Sequence, residues 1–82
     1  MAEPRYRIRY RLTTVAGVAV LIEDEAGHLL VCSRAGLRPY LGAPHDPARR
    51  AALLRHLGWL PVPRVAPYTL AGLRRLLGAV AA

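Results

Sequence analysis

Lysine, asparagine and glutamine are absent from this sequence, and carboxylates are scarce: there are five in 82 residues and none after Asp46. All twelve strong cations are therefore arginines, a usage that fits a GC-rich, thermophilic source. A single cysteine excludes an intramolecular disulfide, and without a Cys/His cluster no structural zinc can staple the chain. The same scarcity gives no reason to expect an oxidising compartment. Nor is there a membrane-length apolar run. The stretch over residues 15–22 is far too short to span a bilayer, so the expectation is a cytoplasmic protein with no membrane partner.

What remains is apolar and basic. A chain of this size buries only roughly 60–65% of its unfolded surface, yet 54% of its residues are hydrophobic. That excess over one modest core predicts self-association, with a homodimer the simplest form. The net charge is +7, and residues 47–82 carry six arginines and no acid, while three of the five acids stand together at Glu23-Asp24-Glu25. Such a distribution steers polyanions or an acidic protein partner toward the chain.

The strongest pattern is an alternation. Arg5, Arg7, Arg9 and Arg11 occupy the odd positions, and Tyr6, Ile8, Tyr10 and Leu12 the even ones. A period of two predicts a strand whose faces meet different environments. The even side continues as Thr14, Ala16, Val18, Val20 and Ile22. The odd side turns from arginine to Val15, Gly17, Ala19 and Leu21, small or apolar residues that another element can cover. One long strand, or two with a bend near Gly17, would be wet on one face at its start and buried on both later. Glu23-Asp24-Glu25-Ala26-Gly27 then reads as a hairpin loop closed by a glycine, and residues 28–33 as the returning strand.

Breakers fill residues 35–47 (Gly36, Pro39, Gly42, Pro44 and Pro47), which predicts a loop. Asp46-Pro47 is an N-cap followed by a first-turn proline, opening a helix over 47–58 stopped by Gly58. Leu53, Leu54 and Leu57 make its apolar side. Residues 59–67 are apolar but proline-broken, an extended connector packed on the core. A second helix over 68–80, capped by Thr69, places Leu70, Leu73, Leu76, Leu77 and Val80 on one side and Arg74 and Arg75 on the other. Residues 1–4 are a loose end. There is no internal repeat. The fold class is α+β in one small domain: an N-terminal antiparallel hairpin with a long first strand, then two short helices.

The stretch Thr14-Val15-Ala16-Gly17-Val18-Ala19-Val20-Leu21-Ile22, with its continuation to Arg34, resembles the opening hairpin of a Nudix domain. Tyr40-Leu41-Gly42-Ala43-Pro44 is similar to the approach to that family's catalytic segment, and Ala51-Ala52-Leu53-Leu54-Arg55-His56-Leu57-Gly58-Trp59 to the end of the Nudix box. The box ends Arg-Glu-apolar-x-Glu-Glu-x-Gly, with glutamates that hold divalent metal against a diphosphate. Here Ala51 and Ala52 stand in place of Arg-Glu, and Arg55 and His56 in place of the paired glutamates. The resemblance thus implies a shortened Nudix-like fold without the hydrolase site.

Alternate strand residues stand ~7 Å apart, near the spacing of successive phosphates on one nucleic-acid strand, so the arginine ladder can follow a phosphate backbone. It equally fits a solvated edge strand whose charges block aggregation. Cys32 needs a base and an oxyanion pocket to act as nucleophile, and a buried structural thiol explains it more simply. No catalytic residue, metal site or cofactor is expected. The first functional reading is a non-enzymatic basic module that contacts nucleic acid or an acidic partner through Arg5, Arg7, Arg9 and Arg11, with Arg49, Arg55, Arg74 and Arg75 extending the field. The alternatives are a degenerate Nudix-like domain binding a nucleotide or phosphate without hydrolysis, and an accessory subunit of a protein complex.

Overall fold

A computed structural model describes residues 3–42, 44–63 and 67–81, with the side chains of 79–81 excepted. Met1 and Ala2 of the expected loose end, residues 64–66 of the connector and the Val80 side chain lie outside the described residues. The elements in chain order are β1 (Tyr6–Thr14), β2 (Gly17–Glu23), β3 (Leu29–Ser33), β4 (Gly36–Pro39), α1 (Pro47–His56), β5 (Leu60–Pro61), β6 (Pro67–Tyr68) and α2 (Leu70–Ala81). All pairings are antiparallel, in the order β4-β3-β2-β1-β5, with β6 also on β1. The α+β class and a long first strand are as the sequence predicts, but that strand ends at Thr14: the chain turns back at Val15-Ala16 and β2 pairs antiparallel with β1, so the alternation does not run on as one face to Ile22.

β2 is the centre of the molecule. Val20, Leu21 and Ile22 are 5%, 0% and 0% exposed, which on a strand means burial on both faces. Val20 and Ile22 pack with Ile8, Cys32, Leu73 and Leu77 beneath α2. Leu21 packs with Leu54 and Trp59 on the opposite face, beneath α1. The sheet is therefore the middle of three layers; of the odd side Leu21 is covered by a helix, while Gly17 and Ala19 are half-buried and Val15 stands fully exposed in the β1–β2 turn.

The alternation in β1 is interrupted where the sequence shows no break. Ile8 pairs with Ile22, but Tyr10 pairs with Leu21, so Arg9 is one residue too many for the ladder. Such a bulge reverses which face each later residue meets. Tyr6 and Ile8 pack on the α2 side, Tyr10 and Leu12 on the α1 side. Four apolar residues that a regular strand would stack on one face are shared between two, as a sheet covered on both faces requires.

β1 is not an edge strand, and it pairs within its own chain. Its outer side carries β5 at Tyr10 and Arg11 and β6 at Tyr6 and Arg7, and the Val62 N–H donates to the Arg9 carbonyl, 3.0 Å. The described residues of the proline-rich connector are paired to the sheet at Leu60–Pro61 and at Pro67. β4 is likewise a strand within the predicted loop of 35–47. Prolines lack the ladder donor and are tolerated at sheet edges and strand ends, where Pro39, Pro61 and Pro67 stand.

The turns share a unit. Thr14-Val15-Ala16-Gly17, Asp24-Glu25-Ala26-Gly27, Ser33-Arg34-Ala35-Gly36 and Thr69-Leu70-Ala71-Gly72 are four copies of an acceptor followed by x-Ala-Gly, a local repetition the sequence reading misses. The first three close hairpins and the fourth caps α2. Thr14 Oγ1 accepts from the Ala16 N–H and Ser33 Oγ from the Ala35 N–H, both at 3.2 Å. Asp24 Oδ1 accepts from the His28 N–H at 2.8 Å, and Thr69 Oγ1 from the Gly72 N–H at 3.2 Å. Each side-chain oxygen satisfies a backbone donor that the turn or helix start leaves unpaired.

α1 begins as predicted, with Asp46 Oδ1 accepting from the Ala48 N–H at 3.0 Å and Pro47 in the first turn. Its end is a Schellman cap: the Gly58 N–H donates to the Arg55 carbonyl (3.0 Å) and the Trp59 N–H to the Leu54 carbonyl (2.9 Å). Gly58 adopts φ +95° to permit this. The cap folds Trp59 back against Leu54 in the core. Leu57 is 51% exposed rather than on the apolar side, because the helix meets the sheet through Leu54 and the cap turns away one residue later. Arg50 is half-buried.

Candidate polyanion-binding surface

The eight sequence-predicted arginines do not form one surface. Arg7 pairs with Glu23, whose neighbours Leu21 and Leu29 belong to the α1 face. Arg5 and Arg7 line a cavity of about 440 Å³ together with Glu23, Asp24 and Glu25, so the first rungs of the ladder lie beside most of the chain's acid. Arg9 is the bulge residue. Arg11, past the bulge, pairs with Val20 and lies on the α2 face. Tyr6 and Tyr10, expected together opposite the arginines, are likewise on different faces. Arg49 and Arg55 are exposed on α1, and Arg74 and Arg75 on α2, across the sheet from one another.

The sheet is electrically lopsided along its strands. At the end that carries the β2–β3 turn stand Glu23, Asp24 and Glu25, where the Asp24 carboxyl is held below the usual range chiefly by the His28 N–H it accepts. His28 Nδ1 lies 3.3 Å from Asp24 Oδ2, a contact that becomes an ion pair when the ring is protonated. The other end carries the β1–β2 and β3–β4 turns, and two clefts open there. One, of about 420 Å³, lies against α2 and is lined by Ser33, Arg34 and Arg74. The second, of about 370 Å³, lies on the α1 face and is lined by Leu12, Ala19, Val31, Trp59, Arg34 and Arg38, among others. Neither lining contains a carboxylate.

Arg34 and Arg38 are thus two exposed basic residues that the sequence reading passes over. The signal was present in Ser33-Arg34-Ala35-Gly36, the same turn unit as Thr14-Val15-Ala16-Gly17, which brings two hairpin tips to one end of the sheet. Ten of the eleven described arginines are exposed. Among the described residues none is ion-paired with a carboxylate, so their charge is presented to solvent unneutralised.

Cys32 is 1% exposed, packed among Val20, Ile22, Leu73 and Leu77. Burial pushes its thiol pKa up, and the nearby Arg74 charge opposes this to a smaller extent. It stays protonated at neutral pH and is a core residue. His45 and His56 are exposed. Among the described residues no three His, Cys, Asp or Glu side chains gather as a metal site, and no helix is long and apolar enough to cross a membrane. No family model matches the chain, and no significant match is found among curated proteins or solved structures.

Proposed function

We propose that the protein is a non-enzymatic basic module that binds a polyanion, with nucleic acid as the leading class. The observation that carries this reading is the set of exposed arginines that, among the described residues, form no ion pair with a carboxylate. Guanidinium groups left this way gain most from phosphates, whose geometry they match in a bidentate fork. Binding centres on the turn end of the sheet, on Arg34, Arg38 and Arg74, with Arg11 of β1 contributing from the α2 face. Arg5 and Arg7 contribute less, because Glu23, Asp24 and Glu25 share their cavity.

Paired charge reversals test this. Arg34→Glu with Arg74→Glu is expected to weaken binding of a labelled oligonucleotide far more than Arg5→Glu with Arg7→Glu, at unchanged melting temperature. Equal losses would place the contact elsewhere. Failure of the unaltered protein to bind any nucleic acid at low salt would end the reading.

A degenerate Nudix-like domain that holds a nucleotide without cleaving it is the second reading. The feature that favours it is the exposure of Arg55 and His56 on α1, where the resemblance puts metal-binding glutamates. A nucleotide that raises the melting temperature would support it, and hydrolysis of a nucleoside diphosphate derivative with magnesium would refute it.

A further inference from the structure

We infer that the cleft on the α1 face is a base-binding site, which takes one unpaired nucleobase of a single strand onto its apolar floor and that strand's phosphate onto Arg34 and Arg38. The inference rests on the nucleic-acid reading above and specifies which form of nucleic acid is held and how.

The cleft exists because α1 covers too little of the sheet. The helix is anchored by Leu54 over Leu21, its one fully buried contact. Toward the turns the same face continues as the Leu12–Ala19 pair, where the strand residue is an alanine and no residue of α1 lines the cleft. Leu12, Ala19 and Val31 are half-buried and form the floor. Trp59 closes one side. It is 6% exposed and meets Tyr40 edge to face at 6.4 Å, so it is a wall of the cleft and not a stacking platform. At about 370 Å³ the space falls within the ~300–1,000 Å³ typical of small-ligand sites.

The chemistry of the lining selects the occupant. A leucine side chain or an acyl tail would use the floor and gain nothing from two exposed guanidinium groups. An inorganic anion would use the arginines and leave the floor wet. A flat ring carrying a phosphate uses both: single-strand-binding grooves pair a basic track with aromatic side chains that take base faces, and here Leu12, Ala19 and Val31 offer an aliphatic floor in their place. The base must be unpaired, because in a duplex its faces are covered by stacking and its extrusion costs energy. Arg34 also lines the cleft beside α2 with Arg74, which places a further cation where the adjoining backbone phosphate leaves the site.

Trp59 is the only tryptophan, and it borders the cleft, so the whole chain reports its own occupancy. Its emission is followed during titration with a thymidine oligonucleotide, with an abasic oligomer of the same length, with a duplex and with an oligoglutamate peptide. The single strand is expected to shift the emission and to bind several-fold tighter than the abasic oligomer, less than a base stacked on an aromatic ring would gain, because the floor is aliphatic. Ala19→Leu, which fills the floor, should erase that preference while salt-sensitive binding persists. If that variant does not fold, Arg38→Ala on the exposed edge strand should weaken single-strand binding several-fold at unchanged melting temperature. Equal affinity for abasic, duplex and base-bearing strands with silent fluorescence would overturn the inference and leave the polyanion reading intact. Oligoglutamate binding as tightly with the same fluorescence change would overturn it in favour of an acidic peptide. No binding to any polyanion would remove the broader reading, and this one with it.

Discussion

Two glycine-to-alanine changes should move stability in opposite directions, and the structure supplies the size of each. Gly58 ends α1 at φ +95°, in the region where an L side chain costs roughly 1–2 kcal/mol. A Cβ there would meet Leu12 Cδ1 at 3.4 Å, an ordinary contact, so strain in the backbone sets the loss and space adds little. Gly78 lies in α2 (Leu70–Ala81), with nothing within 4 Å of a built Cβ and no positive φ. Alanine there gains up to about 0.5–1 kcal/mol from helix propensity and from a less flexible unfolded chain, less whatever fraying near the helix end removes. For a domain of this size each kcal/mol moves Tm by roughly 4–8 °C. Urea unfolding followed by Trp59 emission, with thermal melts beside it, measures both. Gly58→Ala indistinguishable from the parent would refute the Schellman cap as the device that seats Trp59. A loss for Gly78→Ala equal to that for Gly58→Ala would mean that the two glycines are not distinguished by backbone conformation.

Further expectations follow from packing and titration. Leu73→Ala, at a side chain with no exposure, should cost about 2–5 kcal/mol, whereas Leu57→Ala, half in solvent, should stay within about 0.5 kcal/mol; denaturant midpoints would compare them. Asp24 has its folded pKa lowered, so its contribution is present above the ordinary carboxylate range and is lost as pH falls through the folded value. Melting temperature should therefore drop in acid, and more gently in Asp24→Ala. Cys32, with its pKa raised by burial, should be alkylated at the rate at which the protein opens. Fast labelling of the native protein at neutral pH would show the thiol to be accessible.

How far the sequence could be read depended on where the physical signal lay. The β2–β3 hairpin was legible, because burial on both faces of β2 demands a continuous apolar run from Val18 to Ile22 and Gly27 marks the return; the β1–β2 turn was not, because the alternation runs through Val15 and Ala16 without a break. Both helices were legible from their caps, since Asp46-Pro47 and Thr69 satisfy backbone donors locally. β4, β5 and β6 were hidden, because strands of two to four residues carry no periodicity and owe their existence to the strand they pair with. The bulge was invisible in principle. Arg-Tyr-Arg-Ile-Arg-Tyr-Arg-Leu alternates without interruption, and only the need to cover two faces of the sheet decides that Arg9 is the extra residue. That single residue redistributes the arginines. With it, the ladder ceases to be one surface, and the turn end, where no carboxylate lines the clefts, becomes the basic pole of the sheet.

The most direct measurement is the affinity of the purified chain for a labelled single-stranded oligonucleotide across a series of salt concentrations, read by fluorescence anisotropy. If arginines engage phosphates, log K falls linearly with log salt, with a slope of about −0.7 for each phosphate neutralised on a single strand. Three or four contacts at Arg34, Arg38, Arg74 and Arg11 then give a slope of roughly −2 to −3, and removing one of these arginines reduces it by about one contact. Binding that is absent at low salt, or that persists unchanged as salt rises, would contradict the claim that this protein works through its unpaired arginines.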